Sequence, residues 1–196
     1  MKKAALTRLS ILQKAFQLIY TRGYQATSID DILATTKVTK GAFYYHFSNK
    51  DEMGIAIIEE ILKPGFHQNF IEPLNKATNP LEAIYKVMEN VLLHNDQMKV
   101  EFGCPASNLT QEMTPWNSDF SVALNELTAS LEKAMTKALE RGRKAGLVNN
   151  HVHPKQSTMF ILSGYWGIRN LGKLANSRSV YLPYLRELKH YLEQLK

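Results

Sequence analysis

A chain of 196 residues, 44% hydrophobic and 21% charged, has enough apolar material for one or two closely packed domains, and no run nears the roughly 18 apolar residues of a membrane span. Its net charge of +6 is confined to the first quarter: residues 1–50 carry eight Lys/Arg (Lys2, Lys3, Arg8, Lys14, Arg22, Lys37, Lys40, Lys50) against Asp30 and Asp31, and the remainder balances. A single cysteine, Cys104, excludes an intramolecular disulfide and a cysteine-rich zinc cage. The basic start "MKKAALTRLSILQKAF" is interrupted by Arg8, Gln13 and Lys14 and lacks a small-residue cleavage site, so a cytoplasmic protein is expected.

Hydrophobic spacing is helical almost throughout, and the expected fold is all-α with about nine helices. The first is expected from Leu6 to Tyr20, with Ile11, Leu12, Ala15, Phe16 and Ile19 on one face and Gly23 as its stop. Ser28 with Asp31 three residues on is a capping-box pattern for a short second helix. A third runs from Thr39 to Phe47, and "SNKDE" caps a fourth that reaches Leu62 before Pro64-Gly65 breaks or kinks it. Further helices are expected over Pro80 to Gln97, after Pro105, from Thr114-Pro115 to Lys144, from Pro154 to Ala175 and from Tyr181 to Leu195. The last carries a leucine row, Leu182, Leu185, Leu188, Leu192 and Leu195, which suits either ordinary core or a pairing with a second copy of the chain.

Two short helices joined by a tight turn on a longer first one make a helix-turn-helix, whose second member can enter a DNA major groove. Val38, Phe43 and Phe47 can face inward, leaving Lys40, Gly41, Ala42, Tyr45 and His46 outside. Lys40 can donate to guanine, and Gly41 and Ala42 let the backbone approach base edges. Tyr44, His46 and Lys50 have the reach for phosphates, as do Thr27 and Ser28 at the second helix start, and Thr39 at the third.

The stretch "ILQKAFQLIYTRGYQATSIDDILATTKVTKGAFYYHFSNKDEM" resembles the DNA-binding domain of the TetR family of bacterial transcriptional regulators: an opening helix, Gly-Tyr, Thr-Ser, a short Asp-Ile helix, a turn ending in Val, Gly, Tyr-x-His-Phe and a closing Lys. The resemblance implies an N-terminal three-helix DNA-binding domain over 1–50 and a helical effector-binding and dimerisation domain over 51–196. It further implies a homodimer through the last two helices, with Tyr44, His46 and Lys50 clamping the DNA backbone and Lys40 to Ala42 plus Tyr45 reading bases. Lys37 stands where the family usually has glycine; a positive φ there would cost on the order of 1 kcal/mol, partly recovered at a phosphate.

No hydrolase elbow, nucleotide glycine loop or His-Glu-x-x-His is present, and neither a metal nor another cofactor is expected. His151 and His153 read as a solvated loop rather than a metal pair. In "EFGCPASNLTQEM", Pro105 at a first helical position places Cys104 at the N-cap, where thiolate is favoured; the competing reading is an inert buried thiol. That stretch resembles a Gly-Cys and Asn subgroup of the family, some of whose members respond to electrophiles or oxidants, with Pro105 as a departure; Lys99 or Lys173 could then trap an oxidised Cys104. A cavity lined by residues such as Phe102, Met113, Trp116, Tyr165 and Trp166, with Asn108 and Arg169 orienting a polar group, is the other expected effector site. The expected protein is a regulator, of repressor type, released from a near-palindromic double-stranded DNA operator by a small molecule or electrophile. The alternatives are a helical ligand-binding or interaction protein without specific DNA binding, and a helical enzyme.

Overall fold

Helix α1 occupies Lys2–Arg22 and buries Ile11, Leu12, Ala15 and Ile19, the stripe that its spacing marks. It starts before Leu6 because Lys and Ala are strong helix formers and nothing ahead of Leu6 breaks the turn. Gly23 ends it with φ at +95° and its N–H on the Ile19 carbonyl at 2.9 Å. Helix α2, Ile29–Ala34, is held by the capping box: Asp31 N–H donates to Ser28 Oγ at 3.0 Å and Ser28 N–H to Asp31 Oδ2 at 2.8 Å. Helix α3, Lys40–His46, is capped by Thr39 Oγ1, which accepts Ala42 N–H at 3.2 Å. These elements belong to a computed structural model that describes residues 2–196, in which no strand occurs among the described residues.

Beyond Asn49, whose Oδ1 accepts Glu52 N–H at 2.8 Å, the backbone is helical over 50–76 (α4). Pro64 does not end it, contrary to the sequence expectation. The π-helical segments Ile58–Leu62 and His67–Ile71 lie on either side. Wider turns accommodate a residue that lacks an N–H and whose ring would crowd the carbonyl four residues earlier.

Helix α5 runs through Pro80–Glu89 and a π segment Asn90–His94, three residues short of the expected end. Asn95 stops it by turning its side-chain oxygen to Gln97 N–H at 2.9 Å. Helix α6 is Pro105–Met113 and α7 is Ser118–Lys144, so the expected start at Thr114 moves. Asn117 is the reason: its Oδ1 accepts Asp119 N–H at 3.0 Å and Phe120 N–H at 3.3 Å. Helix α8, Pro154–Ala175, ends in left-handed Asn176, and α9 is Tyr181–Glu193. Nine helices are thus counted among the described residues, one of them interrupted by two π segments and one ending in a third.

The chain divides into two compact units. One takes the segment up to Gly65 with Pro105–Leu127, the other Phe66–Cys104 with Thr128–Lys196. In the second, Leu185, Leu188, Leu192 and Leu195 of the leucine row are buried while Leu182 faces out. No helix of the described residues is long and apolar enough to cross a membrane.

Candidate nucleic-acid interface and effector site

Helix α3 divides cleanly by exposure. Phe43 and Phe47 are buried with their rings tilted at 48° and 5.6 Å between centroids, whereas Lys40, Gly41, Tyr44 and Tyr45 face solvent, Tyr45 at 76% exposure. A Cβ on Gly41 would meet nothing within 4 Å, so that part of the helix presents bare backbone. Lys40 Nζ lies 3.5 Å from Asp30 of α2, an exposed pair that releases at little cost. From α1, Arg8 donates from Nη1 to the His46 carbonyl at 2.9 Å and from Nη2 to Glu60 at 2.6 Å, with its guanidinium 4.4 Å above Phe47. It fixes the C-terminal end of α3. In the sequence Arg8 registers only as charge, because its partners lie 38 and 52 residues away.

The same unit holds the α1–α2 turn from α6 and the start of α7. Tyr24 donates to Asp51 Oδ1 at 2.6 Å, and Asn117 Nδ2 donates to the other oxygen, Oδ2, at 3.0 Å. Burial, and then the bond to Asp51, push the Tyr24 phenol well above its ordinary value. Gln25 gives its backbone N–H to Glu112 Oε2 at 3.1 Å and its side-chain amide to Met113 Sδ at 3.3 Å. Lys50 lies over the Tyr24 ring at 4.3 Å, and burial lowers its pKa against the raising influence of Asp51, Glu112 and Asp31.

In the second unit, the segment 95–104 is organised by one side chain. Arg169 of α8 is fully buried. Its Nη1 donates to the Met98 carbonyl and to the Tyr181 hydroxyl, each at 3.3 Å; its Nη2 donates to the Lys99 carbonyl at 3.2 Å and to the Gly103 carbonyl. Gly103 takes φ at +72°, and the buried Cys104 follows directly. Tyr181 is held above its ordinary pKa by burial, with Arg169 and Arg178 pulling it down and Cys104 pushing it up.

Residues 11–57 match the model of bacterial regulatory proteins of the tetR family, and residues 80–186 match the tetracyclin repressor-like C-terminal domain. The chain belongs to the TetR family. An "uncharacterized HTH-type transcriptional regulator in lacX 3' region" of Lactococcus lactis subsp. lactis is 34% identical over 133 residues, 68% of either chain. The HTH-type transcriptional repressor NemR of Escherichia coli K12 is 25% identical over 172 residues, 87% of this chain and 86% of NemR. The crystal structure of E. coli NemR in its reduced form superposes with a TM-score of 0.84 at 24% identity, covering 94% of this chain and 95% of that one. The protein is therefore a DNA-binding transcriptional regulator with the TetR fold, not an enzyme.

Several of the expected site residues are held by contacts within the protein. Thr27 is 1% exposed and its hydroxyl donates to the Gly23 carbonyl at 2.8 Å, so in this structure its side chain is spent on the turn. Lys37 has no positive φ, which among the described non-glycine residues belongs to Asn176 alone; the expected backbone cost disappears. Trp116 is 82% exposed in the α6–α7 turn. Met113 is committed to Gln25, and Asn108, Met113 and Trp116 belong to the first unit. Phe102, Cys104, Tyr165, Trp166, Arg169 and Lys173 belong to the second, where Tyr165 packs edge-on to Phe70 at 5.4 Å and Lys173 is exposed. Surface grooves of about 420, 350 and 270 Å³ in the second unit are lined by other residues, including Asn69 and Asn79, Tyr184 and Tyr191, and Tyr85 and Lys189 respectively.

Proposed function

We propose that this TetR-family regulator is a repressor that binds a near-palindromic operator as a homodimer and leaves it when an effector reaches residues 51–196. The exposed face of α3 carries this reading: Lys40, Gly41, Ala42 and Tyr45 offer a base-reading surface, and Ser28, Lys37, Thr39, Tyr44, His46 and Lys50 offer groups for phosphates. Residues 1–50 are the DNA-binding domain in this reading. The pairing of two copies is supported by an outward apolar stripe on α8, where Phe160, Leu171 and Leu174 are exposed around Gly167, beside Leu182 at the start of α9. A glycine at the centre of such a stripe lets a second helix come close, and α3 of each copy would then meet successive major grooves about 34–36 Å apart.

For the effector, we favour an electrophile or oxidant at Cys104, with Lys99 or Lys173 as trapping amine, over a small apolar molecule. The relative NemR, a repressor whose solved form is a reduced one, supports it, as does the position of Cys104 directly after Gly103, whose carbonyl accepts from the Arg169 guanidinium. The test is a salt titration of binding to duplex from the protein's own promoter beside a scrambled duplex, with and without a thiol oxidant. Preference for the promoter that the oxidant abolishes in the wild type and not in Cys104→Ser supports the whole reading; equal weak binding to both duplexes ends it. Lys40→Ala should cost about 1–3 kcal/mol on the operator and much less on random DNA. Equal loss on both would remove Lys40 from the base-reading set.

A further inference from the structure

Residues 1–50 hold two acids against eight Lys/Arg, and the two acids differ in what they touch. Both stand in the first turn of α2, where negative charge is favoured. Asp31 belongs to the cap: its Oδ2 accepts the Ser28 N–H at 2.8 Å and the Ser28 hydroxyl. Asp30 takes no part in the cap. Its side chain is 79% exposed, and its Oδ1 lies 3.5 Å from Lys40 Nζ, beyond the length of a strong hydrogen bond. A carboxylate thus stands on the surface of α2 and α3 that the proposed reading turns toward DNA. Facing phosphates, it weakens binding to every sequence, and that loss is offset only where the DNA offers it a donor.

The major groove offers such a donor directly beside the targets of a cation. Across its edge a G·C pair presents guanine N7 and O6 as acceptors, then cytosine N4 as donor. O6 and N4 are joined by a base-pairing hydrogen bond of about 2.9 Å, close to the 3.5 Å between Lys40 Nζ and Asp30 Oδ1. The protein pair is therefore a charge-reversed copy of the base edge, with the ammonium over N7 and O6 and the carboxylate over N4. An A·T pair does not match, because adenine N6 lies between two acceptors, adenine N7 and thymine O4, that repel a carboxylate. We propose that Asp30 is a base-reading residue that selects, together with Lys40, one G·C pair in one orientation in each operator half-site. On docking, Lys40 and Asp30 exchange each other for guanine and cytosine, and neither charge is left unpaired. Neighbouring groups leave both accessible: Gly41 brings no side chain beside Lys40, Thr39 Oγ1 is turned to Ala42 N–H at 3.2 Å, and Ser28 Oγ to Asp31 N–H at 3.0 Å.

This rests on the reading of α3 as the recognition helix and adds a residue of α2 to its base-contacting set. The experiment selects from a randomised duplex library based on the protein's own promoter, using the full-length wild type, Asp30→Ala, Asp30→Asn and Lys40→Ala. Affinities are then measured for the selected duplex, its single-base-pair variants and a scrambled duplex. Asp30 and Lys40 are 79% and 63% exposed, so the substitutions leave the core intact. The wild type should prefer one G·C pair per half-site by about 5- to 150-fold over its alternatives. Asp30→Ala should lose that preference at the position where Lys40→Ala loses it, and yet bind the scrambled duplex more tightly than the wild type does. Asp30→Asn, whose amide adds a donor, should admit adenine where the wild type takes cytosine. If Asp30→Ala tightens binding to operator and scrambled duplex by the same factor, or alters no position that Lys40→Ala alters, the proposal is overturned and the DNA reading stands. A wild type that prefers no sequence removes both.

Discussion

Both units pair surface cations with carboxylates, but the second also seals an arginine inside. In the first, cations sit at the surface against carboxylates: Arg8 on Glu60, Lys40 on Asp30, Lys63 on Glu59 and Glu126. Such pairs contribute little individually and exchange readily for other anions, which in the proposed reading lets Lys40 trade Asp30 for DNA. In the second unit Arg169 is sealed from solvent and bound to neutral oxygens, an arrangement that is expensive to open and hence fixes one conformation of residues 98–103. Exposed paired charge gives exchangeability; buried charge gives definition.

The widest separation between them should come from removing the central side chain of each. Arg169→Leu strands three carbonyls and a phenol and is expected to cost about 3–5 kcal/mol in denaturant unfolding, whereas Arg8→Leu should cost about 1 kcal/mol. Comparable losses would erase the distinction. Next in size is Gly54→Ala, whose new Cβ would sit 2.5 Å from the Phe120 ring and 2.8 Å from the Tyr24 ring. Overpacking there is expected to cost about 1–3 kcal/mol and to weaken operator binding by disturbing the Tyr24–Asp51–Asn117 contacts; unchanged thermal unfolding would show that the rings yield freely. Ser28→Ala removes one half of the α2 capping box and should cost about 1 kcal/mol, read as a lowered unfolding midpoint without change in slope.

Smallest is an effect of acid on the first unit. Bonds from Ser28 hold Asp31 below the usual carboxylate range, and the Ser48 N–H does the same for Glu52. A depressed folded-state pKa means that the caps stabilise fully above the unfolded value and lose that contribution as pH falls through the folded one, a window below about pH 4. The amide proton resonances of Ser28 and Ser48 should titrate with midpoints below ordinary Asp and Glu values; midpoints at those values would show that the caps add nothing.

Features built from near neighbours are legible in the sequence. The Ser28–Asp31 box, the Gly23 stop and the buried face of α3 each involve residues three or four apart, a spacing that leaves a mark along the chain. Contacts over long separations leave none. Nothing local distinguishes Arg169, bonded to carbonyls 66 to 71 residues away, from any other arginine on an apolar helix. Glu112 is similar, since its role is defined by Gln25, 87 residues earlier. Thr27 misleads because a threonine beside a helix start reads the same whether its hydroxyl turns outward or to the Gly23 carbonyl. Pro64 misleads because proline breaks a regular α-helical turn, and the chain widens the turn instead.

Gly41 lies in the middle of the exposed face of α3 with no atom of the chain within 4 Å of where a side chain would begin. Its φ is not positive, so no backbone requirement holds it as glycine, and alanine there would gain up to about 1 kcal/mol of helix propensity. Position 41 therefore works as a dial set apart from the fold. If α3 reads the operator as proposed, a graded series of side chains at that one site would report the clearance between protein and DNA as a ruler does, with the scaffold held constant throughout.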